Sequence, residues 1–180
     1  MQTEIIIAGF GGQGVLFGGQ LMAYAGMDEG KYVTWIPAYG PEMRGGTANC
    51  TTIISDEEIG SPLIQYPTAI IAMNRPSLDK YEDKVKPGGL LVVNSSMLDR
   101  AVNRKDIRVV AVNAGEIAEK IGDRRMTNVV LLGALLVNIP VLPMPAIENA
   151  LKVHLPTRHQ RLLSMNYEAL HEGAKHKLNE

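Results

Sequence analysis

Apolar and polar residues along the chain alternate between short β-type runs and longer helical stretches. Four apolar runs, each closed by a glycine or an asparagine, predict strands, the first with the pattern of a central buried strand: Glu4–Ala8, Ala69–Met73, Leu90–Val93 and Arg108–Val112. A further strand is predicted at Tyr32–Ile36, a helix from Gln13 to about Asp28, and a shorter helix at Ala114–Ile121. This alternation predicts an α/β fold, a three-layer α/β/α sandwich around a mostly parallel sheet.

One region should make that sheet mixed. Thr47–Ser55 is rich in threonine and isoleucine and is predicted to be a strand. The acidic residues 56–58 turn the chain back toward a short segment at Ile59, so a β-hairpin is expected between the two. The stretch from Pro37 to Gly46 holds too many prolines and glycines for regular structure and is predicted to be an irregular loop.

The last third of the chain is predicted to be helical. Thr127–Ile139 is apolar on nearly every side, which places it in the core or beneath a partner chain. Its unbroken apolar part, Val129–Val137, is far shorter than the roughly 20 residues that a membrane span needs. Pro145 and Pro156 stand where prolines begin helices.

Length and composition favour a single domain, residues 1–180. With 46% hydrophobic residues, a chain of 180 residues can bury a core of its own. Eighteen basic and nineteen acidic residues leave a net charge of -1, so no overall cationic field attracts nucleic acid or anionic lipid. The N-terminus lacks the basic start of a secretory signal, and a cytoplasmic location is therefore expected.

Cysteine and histidine positions bear on metal chemistry. Cys50 is the only cysteine, so the chain cannot form an internal disulfide or supply the thiolates of an iron–sulfur cluster. The four histidines lie five, twelve and five residues apart, whereas two ligands on one helical face need a spacing of about three or four: His154, His159, His171 and His176. No metal site is expected.

The run Gly9-Phe-Gly-Gly-Gln-Gly14 fits G-x-G-x-x-G between a predicted strand and a predicted helix. Glycines there permit a tight turn, let backbone N–H groups approach an anion, and allow the helix to pack against the sheet. A dinucleotide site also needs an acidic residue at the end of the second strand, and Tyr32–Ile36 ends without one. Three interpretations remain: a packing turn, an anion site, or NAD or FAD binding.

Ligands of open α/β sheets meet the carboxyl ends of the strands. The glycine turn, the loop 39–46 and the strand-end asparagines Asn74, Asn94 and Asn113 should gather there. Glu42 and Arg44 in the loop either present a contact surface or are merely solvated or paired with each other. This edge offers amides and one Arg–Glu pair but no His, Cys or Lys at a strand end, so it predicts binding and no catalytic residue.

Five blocks, in order over essentially the whole chain, resemble the gamma subunit of 2-oxoacid:ferredoxin oxidoreductases. The most specific of them is Tyr39–Asn49. The other four are Gly9–Gly14, Ile59–Pro62, Pro87–Gly89 and Thr127–Ala134. The resemblance implies a complex that decarboxylates a 2-oxoacid on thiamine diphosphate with Mg. It also implies that electrons pass through iron–sulfur clusters to ferredoxin and that acyl-CoA is released. No cofactor is expected on this chain alone, because other chains of such complexes carry them.

The resemblance also implies partners and contact residues. The partners would be alpha and beta subunits, with or without a delta subunit, and ferredoxin through the complex, with no nucleic acid and no membrane. An anion or CoA would contact Gly9, Gly11, Gly12 and Gly14. A subunit interface or channel would be formed by the loop and the strand ends: Tyr39, Gly40, Pro41, Glu42, Met43, Arg44, Gly45, Gly46, Asn74, Asn94 and Asn113.

The identity of the 2-oxoacid is indicated by one block. Met43–Thr47 looks more like the 2-oxoglutarate or branched-chain 2-oxoacid members than the pyruvate members, and 2-oxoglutarate is favoured. Two alternatives to an oxidoreductase subunit with ligand contacts stay open. One is a free-standing nucleotide-binding α/β domain that uses the glycine turn by itself; the other is a structural clamp without any ligand contact.

Overall fold

The computed structural model describes residues 1–38 and 47–178, and its strands form one six-stranded sheet. The strands are β1 (Gln2–Phe10), β2 (Tyr32–Ala38), β3 (Thr47–Ser55), β4 (Ala69–Ala72), β5 (Leu90–Asn94) and β6 (Arg108–Val112). Their spatial order is β2-β3-β1-β4-β5-β6. β1, β4, β5 and β6 are parallel, whereas β3 runs antiparallel to both β1 and β2. The prediction of a mostly parallel, mixed sheet is confirmed.

The source of the mixed character differs from the expectation. The prediction of a hairpin between Thr47–Ser55 and Ile59 is wrong, because β3 lies between β1 and β2 and residues 56–68 contain no strand. Cys50, in the middle of β3, pairs with Ile7 on one side and with Pro37 on the other. β2 therefore continues through Pro37, where a loop was predicted. Proline is tolerated there because β2 is an edge strand.

Six α-helices are present in the described part of the chain. They are α1 (Val15–Asp28), α2 (Arg75–Tyr81), α3 (Ala114–Ile121), α4 (Thr127–Asn138), α5 (Met144–His154) and α6 (Leu163–Ala174). Pro145 lies in the first turn of α5, as predicted. Pro156 precedes a 3₁₀ helix, Thr157–Leu162, rather than an α-helix.

Two apolar clusters cover the two faces of the sheet. Ile5 and Ile7 of β1 belong to the cluster beneath α1 and α3 to α6, whereas Ile6 and Ala8 belong to the cluster beneath α2 and residues 95–107. This division follows from the alternation of side chains along a strand. The three-layer arrangement is confirmed, with one outer layer much thicker than the other.

The apolar helix α4 is buried by the chain itself. Leu131, Leu132 and Leu135 have no exposed surface, and α4 packs against the sheet as well as α6. Of the two alternatives for Thr127–Ile139, the structure therefore supports the core. Within residues 1–38 and 47–178, no helix combines the length and the apolar character needed to cross a bilayer.

Candidate functional site

A cleft of about 710 Å³ lies at the carboxyl edge of the parallel strands. It is bordered by the glycine turn, by the segment after β5, by the start of α3 and by the turn before α4. Of the residues predicted to meet at this edge, Gly12, Asn94 and Asn113 line the cleft together. The expected convergence of separate strand ends is thus present in the fold.

The glycine turn owes its shape to three of its glycines. Gly12 and Gly14 adopt left-handed backbone angles, with φ of 94° and 75°, which L-residues with side chains rarely adopt. A Cβ on Gly14 would overlap the side-chain amide of Asn128, and a Cβ on Gly9 would lie 2.7 Å from Oε1 of Gln13. Gly11 lies half-buried in the same turn. A tight turn that packs against α4 therefore explains much of the sequence pattern.

Gln13 and Asn74 connect this turn to α2. Oε1 of Gln13 accepts hydrogen bonds from the Phe10 backbone N–H at 2.6 Å and from Nδ2 of Asn74 at 3.1 Å. Oδ1 of Asn74 accepts from the Ser77 N–H at 3.0 Å, which caps α2. Asn74 is 1% exposed, so its side chain holds the edge in place instead of lining the cleft. Sequence reasoning missed Gln13, because its position in the glycine pattern admits any residue.

Hydrogen-bonding groups without protein partners lie at or beneath this edge. No side chain caps α1, and the first N–H groups of a helix lack intrahelical partners. Within the described residues, Oδ1 of Asn94 and Oδ1 of Asn128 are buried and accept no hydrogen bond. A buried polar group left unpaired costs about 1–3 kcal/mol. A ligand or water that donates a hydrogen bond to Asn94 would remove part of this cost.

The segment after β5 and the start of α3 are joined by Ser96. Its Oγ accepts a hydrogen bond from the Gly115 N–H at 3.0 Å, and its hydroxyl donates to Oδ1 of Asn113. Asn113 is the N-cap residue of α3 but makes no side-chain cap bond. One wall of the cleft is therefore held in place by a hydroxyl that the sequence analysis did not single out.

The cleft also contains charged residues. Glu116, Glu119, Arg124 and Arg125 line it, so the expectation of an edge with a single Arg–Glu pair is wrong. Arg124 pairs with Glu119, and Arg125 pairs with Asp123 at 2.6 Å. The hydrogen bond from Arg125 lowers the pKa of Asp123. The sequence analysis did not select these arginines because they follow a helix rather than a strand. The consecutive pair Arg124-Arg125 after Gly122 is the sequence feature that could have indicated an anion-binding site.

The two arginines are exposed, but only Arg124 has an exposed partner, Glu119, since Arg125 donates three hydrogen bonds to Asp123, whose side chain is 15% exposed. Their side chains are 81% and 63% exposed, for Arg124 and Arg125 respectively. Exposed ion pairs are held by only about 0–1 kcal/mol, whereas a guanidinium can bind phosphate through two parallel hydrogen bonds. The rim can therefore bind an anionic group by exchanging a carboxylate for it.

The predicted loop residues Tyr39, Gly40, Pro41, Glu42, Met43, Arg44, Gly45 and Gly46 lie outside the described residues. The strands on either side of them end at the edge where β1 ends. Ala38 is the last residue of β2, and Thr47, the first of β3, pairs with Phe10. The chain thus leaves and re-enters the sheet beside the glycine turn.

The remaining candidates for chemistry are the thiol of Cys50 and a metal site. Cys50 is fully buried, and its thiol donates to the Val15 carbonyl at 3.3 Å. Burial raises the pKa of this thiol to about 11, so it stays protonated at neutral pH. Among the residues that the structure describes, no three His, Cys, Asp or Glu side chains are grouped closely enough to hold a metal ion.

Comparisons with known proteins agree with one another. Residues 4–176 match the family described as pyruvate ferredoxin/flavodoxin oxidoreductase. The 2-oxoglutarate synthase subunit KorC of Methanothermobacter marburgensis is 36% identical over 176 residues, 94% of this chain and 95% of that protein. The ketoisovalerate oxidoreductase subunit VorA of Methanothermobacter thermautotrophicus is 38% identical over 175 residues, 97% of this chain but only 36% of that protein.

A solved structure has the same fold over its full length. It is the keto/oxoacid ferredoxin oxidoreductase gamma subunit of Geobacter sulfurreducens, with a TM-score of 0.85 and 28% identity. The superposition covers 98% of this chain and 96% of that one. The sheet with its inserted antiparallel strand is therefore shared with a protein of that description.

Proposed function

The chain belongs to the pyruvate ferredoxin/flavodoxin oxidoreductase family, and from this membership we propose that it is the gamma-type subunit of a 2-oxoacid:ferredoxin oxidoreductase. Similarity over nearly the full length of a KorC subunit and of a solved gamma subunit supports this assignment. The chain spans about a third of the length of the VorA relative. The activity of the whole VorA protein is therefore assigned to this chain only as a proposal.

The complex would oxidatively decarboxylate a 2-oxoacid to acyl-CoA and reduce ferredoxin, with 2-oxoglutarate the favoured substrate and a branched-chain 2-oxoacid the alternative. Thiamine diphosphate with Mg, and the iron–sulfur clusters, would be bound by alpha, beta or delta chains. The described part of the cleft lining is compatible with this division of labour, because it includes no Cys or His to ligate an iron–sulfur cluster and its carboxylate Glu119 is paired with Arg124. The single thiol, on Cys50, is occupied in the core.

The contribution of this chain would be to bind CoA at the cleft. CoA carries phosphate groups together with amide and amino N–H donors. The uncapped start of α1, with Arg124 and Arg125 on the rim, suits the phosphates. The unpaired Oδ1 of Asn94 suits an N–H donor. The observation that carries the proposal is that N–H and guanidinium groups able to bind an anion occur at the same cleft as a buried, unpaired hydrogen-bond acceptor.

Calorimetry on the full chain tests the CoA contact. We expect CoA to bind to the wild-type chain. The double variant Arg124→Ala/Arg125→Ala should weaken this binding about tenfold or more, because a guanidinium–phosphate contact contributes up to about 3 kcal/mol. Lys105→Ala, an exposed cation away from the cleft, is the control and should bind CoA like the wild type.

Two results would count against this proposal. If CoA binds neither the isolated chain nor the assembled complex through these arginines, the CoA contact lies elsewhere. If NAD, FAD or ATP binds the isolated chain with a Kd of about 1 μM or below while CoA does not, the free-standing nucleotide-binding domain becomes the better description.

Co-purification from a native source tests the subunit assignment. We expect chains that carry thiamine diphosphate and iron–sulfur clusters to accompany this one, and the 180-residue chain alone to show no turnover. The assembled complex, assayed with a panel of 2-oxoacids and ferredoxin, should prefer 2-oxoglutarate. A chain that purifies alone contradicts the subunit role, whereas preference for a branched-chain 2-oxoacid contradicts only the substrate.

The loop 39–46 is proposed to contact the thiamine-bearing chains or to shape the substrate or CoA channel, beside Asn94 and Asn113. Its support is the resemblance of the Tyr39–Asn49 block and the position of its flanking strands at the cleft edge. Arg44→Ala should lower acyl-CoA formation by the complex about tenfold while the thermal midpoint stays unchanged. Unaltered turnover would remove Arg44 from the site, and Lys105→Ala again serves as the control.

A further inference from the structure

A second concave site lies in the thick helical layer, between α1, α5 and the residues Leu155 and Pro156 that follow α5. It is a groove of about 180 Å³, and none of its lining residues lines the carboxyl-edge cleft. Its walls are largely apolar: Phe17, Leu21, Tyr24, Leu151, Leu155 and Pro156. We call this region the α1–α5 groove.

The α1–α5 groove is held open by fixed contacts. The rings of Tyr24 and His154 stack with centroids 4.3 Å apart and planes 13° from parallel. Nε2 of His154 lies 2.9 Å from Oδ2 of Asp28, and Nε2 of Gln20 donates to the Tyr24 hydroxyl at 3.1 Å. A preformed groove of this kind loses little conformational entropy when a partner enters it.

Three basic residues lie close in sequence to the residues that line the groove. Residues 149–167 contain no Asp or Glu, yet they include Lys152, Arg158 and Arg161, all of them exposed. In a chain of net charge -1, this is a local concentration of positive charge. Arg158 and Arg161 are three residues apart on a 3₁₀ helix, so their side chains lie on the same face.

Two carboxylates near the groove are bonded to histidines rather than to these cations. Asp28 is engaged by His154, and Glu148 by His171. Within residues 1–38 and 47–178, the three cations form no ion pair with a carboxylate. Gln160 donates from Nε2 to the Leu155 carbonyl at 2.7 Å, which ties the cationic 3₁₀ helix to the end of the groove.

We propose that the α1–α5 groove docks an acidic segment of a protein partner. One apolar side chain of that segment would enter the groove, and its carboxylates would face Lys152, Arg158 and Arg161. Charge complementarity and the size of the groove, which suits a single side chain, carry this inference. Nucleic acid and anionic lipid fit less well, because the positive charge is confined to three side chains beside an apolar pocket.

Fluorescence anisotropy with the full chain tests the proposal. The probe is a labelled peptide of about 12 residues that consists of Asp, Glu and Ser around one central Phe. We expect Arg158→Glu/Arg161→Glu to weaken binding at least about tenfold, and a Phe-to-Ser change in the peptide to weaken it about fivefold. Raising the salt from about 50 to 300 mM should also weaken binding, because surface charges are screened.

Lys105→Glu, on the opposite side of the sheet, is the matched control and should bind the peptide like the wild type. Absence of peptide binding, or equal binding by Arg158→Glu/Arg161→Glu, overturns the proposal. So does tighter binding of a DNA oligonucleotide or a phosphatidylserine vesicle through the same arginines. CoA affinity at the carboxyl-edge cleft should be the same in the charge-reversal variant, so failure here is distinguishable from failure of the proposed function.

Discussion

The tightest steric constraint on single residues is where α4 crosses α6. Gly133 of α4 faces the Leu170 carbonyl, and Gly173 of α6 faces the Val130 carbonyl. A Cβ at either position would overlap the opposite carbonyl oxygen. Because these are backbone atoms of two packed helices, the overlap can be relieved only if the helices move apart. Glycine at both positions therefore permits the close approach that buries α4.

Gly133→Ala should destabilise the protein by about 3 kcal/mol or more, at the upper end of the cost of overpacking a core. The free energy of unfolding in urea measures this effect. Gly60→Ala is the control, because its Cβ would meet nothing within 4 Å and its backbone is not left-handed; it should change stability by less than about 0.5 kcal/mol. Wild-type stability of Gly133→Ala would show that α4 and α6 are less closely packed than described.

Among the α-helices in the described part of the chain, the short α2 is the one whose N-cap side chain makes a hydrogen bond. Asn74 satisfies the Ser77 N–H and at the same time holds Gln13, whose side chain closes the glycine turn. The start of α2 and the end of β1 are therefore one hydrogen-bonded unit. The edge that forms the cleft is shaped by contacts between elements more than 60 residues apart in sequence.

Asn74→Ala should lower the free energy of unfolding by about 1–2 kcal/mol, the usual cost of losing an N-cap with its side-chain bonds. It should also weaken CoA binding, because Gln13 then loses its partner beside the turn. Asn103→Ala, an exposed asparagine, is the control for stability. If Asn74→Ala unfolds at the same urea concentration as the wild type, the cap contributes nothing measurable.

The molecule as a whole holds many of its carboxylates in ion pairs or hydrogen bonds. Among the residues that the structure describes, seven carboxyl groups have a pKa below the ordinary value: Glu4, Asp56, Asp79, Glu82, Asp99, Asp106 and Asp123. Lys31 and the N-terminal amine lower the pKa of Asp56 to about 2. Burial by itself raises the pKa of Glu82, but hydrogen bonds from Arg100 and from the backbone of Asn103 and Arg104 outweigh it.

Stability should therefore fall as the solution becomes acidic. A carboxylate whose pKa is lower in the folded than in the unfolded chain stabilises the fold above about pH 4.5, and this stabilisation is lost as the pH falls through the folded-state value. Urea unfolding between pH 7 and pH 3 should show the decline, less steeply in Glu82→Gln than in the wild type. Glu58→Gln, at an exposed site, should follow the wild type; a flat profile for the wild type contradicts the account.

Local sequence determined much of this protein. The four runs from Glu4, Ala69, Leu90 and Arg108 are strands, and Thr127–Asn138 is a helix. The first three strands are buried on both faces, which requires continuous apolar runs. The glycine pattern located the turn, and the polar strand ends located the edge where the cleft lies. These features depend on near neighbours, which periodicity and turn residues report directly.

Only the tertiary structure decided the rest. β3 could not be placed between β1 and β2 from its own residues, because strand pairing depends on contacts with distant segments. The same holds for Arg124 and Arg125 at the cleft, for Gln13 bonded to Asn74, and for the cations beside the α1–α5 groove. Each of these sites arises where the fold brings distant segments together, and no single stretch of sequence contains that information.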